Sequence, residues 1–303
     1  MDHEKWRGIH TILTTPFKED LSLDREGMAR NVSFAADSSA HVLVVLGTQG
    51  EFAAVTDEER LEIMRIAVET NQGRKPIMLG VSHSGTVAAV ALTRYAKELG
   101  ADAVMATPPY FNNVNDASIR DHFQRIAEVG VPVFLYNAPP RVGYSMRPAM
   151  IAELADVAGI AGIKQATQNA VELDETVALA ADKMALIGGA ESMIWTCLAL
   201  GMIGNTATTA SFWPESVVEI YDAAVRGDAH EAQALYLRLA EYRMLCKAAG
   251  HAAVVKAGMD MVGLAGGPVR PPLPVMTDAH REHLARILRE FGVLPSGVRA
   301  AKA

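Results

Sequence analysis

Cysteine is nearly missing: Cys197 and Cys246 are the only two, far apart and each inside an apolar, helical-looking stretch. That count and spacing exclude a disulfide framework and a paired-cysteine zinc site. Positive charge is not concentrated either. No Lys/Arg block occurs and the formal net charge is −7, which argues against a phosphate-backbone partner, so no nucleic acid is expected. No apolar run is long enough to cross a bilayer, and the opening segment MDHEKWRGIH lacks the basic-then-apolar order of a secretory signal. The expectation is a soluble protein of the reducing cytoplasm with no membrane partner. HxH, HExxH, GxSxG and Walker A patterns are missing as well, and the one close histidine pair, His280 and His283, lies on a polar terminal helix. No metal and no cofactor are expected, which leaves covalent chemistry by an amine as the natural alternative.

What is present is a regular alternation. Half of the 303 residues are hydrophobic, enough for one large core with a small appendage. Short apolar runs recur at Gly8–Leu13, Val42–Leu46, Ile77–Val81, Ala103–Ala106, Val131–Tyr136, Ile160–Lys164, Ala185–Ile187 and Met202–Asn205. Runs of this kind, without polar alternation, read as parallel strands buried on both faces. The intervening stretches have helical period. One opens on a capping box, Thr56-Asp-Glu-Glu59, and Gly100, Gly130 and Gly159 stand where helices should stop. Eight such units predict an α/β fold, a (β/α)8 TIM barrel over residues 1–227. An open doubly wound sheet is the alternative, disfavoured because no GxGxxG turn follows the first strand. Helical segments at Ala229–Ala248, His251–Gly263 and Asp278–Phe291 then form a C-terminal helical extension over 228–303, broken by the proline-rich Gly266–Pro274. Its last residues, 295–303, are expected to fray.

In such a barrel the chemistry sits at the C-terminal ends of the strands. Lys164 closes the sixth apolar run; a lysine there is stripped of water, which favours the neutral, nucleophilic amine. The alternative is a lysine that snorkels its charge out of the barrel mouth. Lys256 is a rival amine, but its setting in an appended helix suits a structural role. Tyr136 ends the neighbouring strand and can move protons, unless it is an ordinary core tyrosine. Gly47-Thr48-Gln49-Gly50-Glu51 is a glycine-flanked turn whose N–H groups suit a carboxylate, although such turns are common at strand ends. Gly189, Glu191 and Asn205, at the ends of strands seven and eight, are further candidate substrate contacts. No Lys or Arg follows these two strands, so no phosphate site is evident there.

GTQGE (Gly47–Glu51), TPPYF (Thr107–Phe111), YNAPPRVG (Tyr136–Gly143), GIKQAT (Gly162–Thr167) and GGPVRPPL (Gly266–Leu273), in this order, resemble the N-acetylneuraminate lyase/dihydrodipicolinate synthase family of class I aldolases. The resemblance runs from about Gly8 to Leu294. It implies a lyase in which Lys164 forms a Schiff base with a pyruvate-like 2-oxo acid and Tyr136 is the acid/base. It also implies that Thr48 links Tyr136 to Tyr110 of a neighbouring subunit, in a homotetramer built as a dimer of dimers. Carbon–carbon bond formation or cleavage beside a pyruvyl unit is the expected reaction, with a small 2-oxo acid and an aldehyde as substrates. Dihydrodipicolinate synthesis and the aldol cleavage or dehydration of a 2-keto-3-deoxy sugar acid are its alternatives, and a 2-oxo acid sensor is the non-enzymatic one. Departures bear on the second substrate. Gln49 replaces a usual Thr or Ser, Ala190 replaces the Asp of many sugar-acid lyases, and Arg141 matches an arginine that favours a second carboxylate. Trp195, Phe212 and Trp213 hint at an apolar partner, or else pack in the core.

Overall fold

The computed structural model describes residues 3–295. Strands β1 (Gly8–Ile12), β2 (Val42–Val45), β3 (Ile77–Gly80), β4 (Ala103–Ala106), β5 (Val133–Asn137), β6 (Ile160–Gln165), β7 (Ala185–Gly188) and β8 (Gly204–Ala207) pair in chain order, all parallel, and β8 closes onto β1. Every strand residue is buried, as the unbroken apolar runs require. The helices around them are α1 (Arg25–Asp37), α2 (Asp57–Asn71), α3 (Thr86–Glu98), α4 (Asp116–Ala127), α5 (Pro139–Val142), α6 (Pro148–Ala155), α7 (Ala170–Ala180), α8 (Ile194–Ala199) and α9 (Glu215–Val225). The extension consists of α10 (Ala229–Arg238), α11 (Ala240–Ala249), α12 (His251–Met261) and α13 (Asp278–Glu290). The barrel with its C-terminal helical extension is therefore the fold that the alternation predicts. The frayed end expected over 295–303 lies outside the described residues beyond Pro295.

Local signals act as their chemistry dictates. Thr56 accepts from the Glu59 N–H while Glu59 accepts from the Thr56 N–H, so the capping box is formed in full at α2. Three differences from the sequence reading are informative. The fifth strand starts at Val133 rather than Val131, because Pro132 has no N–H to give the ladder; it contributes only its carbonyl, to Val104. The eighth starts two residues later than its apolar run. Apolarity marks Met202 and Ile203, but the ladder runs through Gly204, where a Cβ would stand 2.2 Å from the Gly8 carbonyl oxygen. The single helix expected over Ala229–Ala248 is also interrupted: Leu239, between α10 and α11 in the chain, leaves the helical path and buries its side chain in the apolar cluster of the extension, with no glycine or proline to announce it.

Below the site the barrel interior is a packed core. Trp6 meets Phe134 edge to face with ring centroids 4.9 Å apart, and Val42, Val44, Met78 and Met105 complete the filling. Side chains of this size contribute roughly 1.5–3 kcal/mol each on burial, so the floor is rigid and dry. His10 lies within it, its Nε2 at 2.8 Å from the Trp6 carbonyl. Burial pushes the imidazole down to about 4, so it stays neutral at physiological pH. A second apolar cluster joins Ile9 and Ala207 of the barrel to α9 and the extension, with Trp213 against Phe291 at 4.9 Å. Phe212 and Trp213 thus serve packing. Among the described residues no helix is long and apolar enough to cross a membrane.

Candidate active site

A cavity of about 790 Å3 opens at the C-terminal end of the barrel, within the range of small-molecule sites. Strand register builds its centre. Tyr136 and Lys164 are direct partners across the β5–β6 ladder, so both project to the same side, into the barrel. Lys164 is 4% exposed and its Nζ lies 4.0 Å from the centroid of the Tyr136 ring. Among the described residues no carboxylate pairs with it, and the Tyr136 side chain is the partner beside it.

The third member comes from the opposite wall. Thr48 opens a single 3-10 turn, Thr48–Gly50, directly after β2, and its hydroxyl is 3.0 Å from the Tyr136 Oη. Burial by itself would raise the phenol's pKa. The Lys164 charge, the Thr48 hydroxyl and the more distant Arg141 guanidinium outweigh it and hold the group below its ordinary value. A phenol tuned downward beside a buried amine is equipped to pass protons, a property that a packing tyrosine does not need. Cys246 borders the same cavity, but burial pushes its thiol up, away from thiolate chemistry. Among the described residues no three His, Cys, Asp or Glu side chains are grouped to hold a metal ion.

The remaining candidates divide. Gln49 and Arg141 line the cavity, the latter on α5 with its side chain in solvent at the rim. Gly189 also lines it, but its N–H is already given to the Gln165 carbonyl at 2.7 Å, and a Cβ would stand 2.6 Å from the Ala166 Cβ. Close approach of two strand ends is its evident requirement. Glu191 borders the cavity with both oxygens engaged, by the N–H groups of Thr208 (2.9 Å) and Thr209 (3.1 Å) and by the Thr209 hydroxyl. Asn205 stands apart from these candidates. Side chains alternate along a strand, and Thr206, not Asn205, reaches the cavity; Asn205 is fully buried on the other face against Gly188. Tyr110 does not line the cavity of its own chain; its ring rests edge to face on Phe52.

Sequence reasoning missed a whole wall. Tyr242, Arg243, Lys247 and His251, from α11 and the start of α12, close one side of the cavity. No motif marks them, because only the return of the extension over the barrel mouth brings them there. The His251 Nε2 stands 3.8 Å from Glu191, and Arg243 stacks 3.8 Å over the Tyr236 ring. Among the described residues, Glu191 is the only acid lining the cavity, against Arg141, Lys164, Arg243 and Lys247.

With the geometry in place, the chain can be compared with known proteins. The model of the dihydrodipicolinate synthetase family matches residues 5–291. A 4-hydroxy-tetrahydrodipicolinate synthase of Methanothrix thermoacetophila is 33% identical over 97% of this chain and 100% of its own length. A crystal structure of dihydrodipicolinate synthase from Aquifex aeolicus superposes with a TM-score of 0.91 at 27% identity, covering 96% of this chain and 100% of that one. The Acinetobacter baumannii synthase, solved in complex with pyruvate, superposes with a TM-score of 0.89 at 28% identity over 95% of this chain and 99% of its own. The chain belongs to the dihydrodipicolinate synthetase family and is an enzyme of its lyase and synthase class.

Proposed function

We propose that this enzyme forms or cleaves a carbon–carbon bond beside a pyruvate-derived 2-oxo acid, by way of an imine on Lys164. The observation that carries this reading is the constellation of Lys164, Tyr136 and Thr48 at the mouth of the barrel. A proton passed from the Lys164 Nζ to the Tyr136 oxygen leaves a neutral amine, which attacks the 2-oxo carbon; the carbonyl oxygen departs as water with protons relayed by Tyr136. The positively charged imine draws electrons from the adjacent methyl carbon, which loses a proton to give an enamine. That enamine adds to an aldehyde, and the reverse sequence cleaves the same bond. Gly50 and Glu51 donate their N–H groups to Gly47 and Thr48 within the turn, which leaves those of Thr48 and Gln49 to receive the 2-oxo acid carboxylate.

The test needs no second substrate. Borohydride with pyruvate should fix a reduced adduct on Lys164, and the enzyme should exchange the methyl protons of pyruvate for deuterium in D2O. Absence of both at saturating pyruvate removes the proposal and leaves a 2-oxo acid sensor as the better reading. In Thr48→Val the hydrogen bond to Tyr136 is lost. A hydrogen bond to a charged partner is worth roughly 1.5–3 kcal/mol, so exchange should slow about 10- to 100-fold. Its basic limb should move up in pH, because the Thr48 contact is one of the groups that hold Tyr136 down. Exchange at the parent rate would remove Thr48 from the relay.

A specific second reading is 4-hydroxy-tetrahydrodipicolinate synthesis, the activity by which the Methanothrix relative is named. It is favoured by the cationic rim of Arg141, Arg243 and Lys247, which suits an aldehyde carrying its own carboxylate. Cleavage of sugar acids is less well served, since the Glu191 oxygens are already engaged by Thr208 and Thr209. A panel of aldehydes with pyruvate, read by product mass, separates these.

The assembly proposed is a cytoplasmic homotetramer in which Tyr110 of a second copy reaches Thr48. Tyr110 sits outside its own cavity, and the adjacent Phe111 is 96% exposed at a positive φ of 75°. Sedimentation should give the mass of four chains; a stable, active single chain would take Tyr110 out of the relay.

A further inference from the structure

We infer that Glu51 and Lys256 are a positioning pair: a buried ion pair by which the C-terminal extension sets the catalytic turn from behind, without either residue reaching the cavity. The inference rests on the reading of Lys164, Tyr136 and Thr48 as one relay. The two residues are 205 positions apart, yet the Lys256 Nζ lies 2.5 Å from a Glu51 oxygen, with the side chains 1% and 0% exposed. Taking two charges out of water commonly costs more than their attraction returns, and a matched apolar pair would serve stability as well or better. Stability alone therefore gives little reason for the pair.

Its placement supplies a reason. Glu51 stands three residues after Thr48 and closes the turn in the left-handed region, at φ 56°, where a residue with a side chain is uncommon. Its N–H donates to the Thr48 carbonyl at 3.1 Å, and the Gly50 carbonyl accepts from the Thr15 hydroxyl at 2.6 Å. The carboxylate points away from the cavity, into the seam with α12. One oxygen takes the Lys256 ammonium and the other takes the Arg270 N–H at 2.8 Å. Lys256 gives a further proton to the Pro268 carbonyl at 2.7 Å and lies 4.4 Å over the Phe17 ring. The anchor is thus held on several sides, and the residues it fixes carry the Thr48 hydroxyl to Tyr136. A relay hydrogen bond of 3.0 Å does not survive a shift of the turn by about an ångström, and such displacement of reacting groups costs on the order of 10²-fold in rate.

The test is the double variant Glu51→Leu/Lys256→Met, which replaces the ion pair with apolar side chains of similar reach. It should melt below the parent, because the Arg270 N–H and the Pro268 carbonyl lose their partners, yet stay folded and still give the borohydride-trapped pyruvate adduct on Lys164. Its pyruvate methyl exchange should fall on the order of 10²-fold, with the basic limb of the pH profile moved up as Tyr136 loses Thr48. Parent-like exchange with an unmoved limb overturns the inference, whatever the melting temperature. Lys256→Arg keeps the charge but displaces it, and serves if the double variant does not fold: slower exchange supports the pair as a positioning device, and a parent rate overturns it. Failure of the parent protein itself to trap pyruvate would instead sink the reading of Lys164, and is distinct from either result.

Discussion

Lys164→Met should leave a folded protein that gives no borohydride-stable adduct with pyruvate and exchanges its methyl protons no faster than buffer. Methionine keeps most of the volume of the lysine stem, so the packed barrel wall is little disturbed and the melting temperature should change by only a few degrees. What disappears is the only amine in the cavity held against the phenol. Lys247 also borders the cavity, but on the exposed side of α11. Loss of covalent catalysis should therefore exceed about 4 kcal/mol of transition-state stabilisation, a factor of roughly 10³ in rate. A second consequence can be read without any substrate. The Lys164 charge is the largest influence lowering the Tyr136 pKa, against a burial effect that raises it. Removing that charge should move the phenol titration upward in Lys164→Met. Retained exchange, or a trapped adduct at another lysine, would move the chemistry away from Lys164.

The barrel and the centre of the site were legible because each rests on a local, repeating rule. Strands buried on both faces must be apolar throughout, so their runs stand out. A charged or phenolic residue closing such a run stands out against them, which is how Lys164 and Tyr136 are found. The rule fails where polarity and strand geometry part company: β8 contains Asn205 and Thr206, so hydrophobicity places the strand two residues early, and it does not say which of the pair faces the cavity. Function placed in the extension was illegible for a different reason. Arg243 and His251 approach the cavity only through tertiary return, and Glu51 and Lys256 meet across most of the chain, a juxtaposition that no spacing encodes. Lys256 was recognisable as an isolated charge in an apolar helix and hence as structural, but its counter-ion was not. Glu191 illustrates a third limit. A carboxylate after a strand end reads as a candidate substrate contact until its oxygens are found holding Thr208 and Thr209.

Tyr136→Phe separates the two halves of the chemistry. The ring remains, so its contact with Lys164 and its packing in the barrel wall persist; the lost hydrogen bond to Thr48 should cost about 1 kcal/mol of stability. Imine formation with pyruvate should slow, since Tyr136 no longer takes the Lys164 proton, but stay measurable by borohydride trapping at longer times, because the amine and the carboxylate turn remain. Transfer of the methyl proton should slow on the order of 10²- to 10⁴-fold, the usual contribution of a positioned acid/base group. The pH dependence sharpens the point. In the parent enzyme the phenol is held below its ordinary value of 10.0 against the effect of burial, so the rising limb of exchange should lie below that of a free phenol. Lowering the pH through that limb protonates Tyr136 and removes the base, and raising it restores the rate. The limb should shift upward in Thr48→Val and vanish in Tyr136→Phe. A Phe variant that exchanges within a few-fold of the parent, with the limb intact, would assign the base to another group at the cavity, such as His251 from the extension.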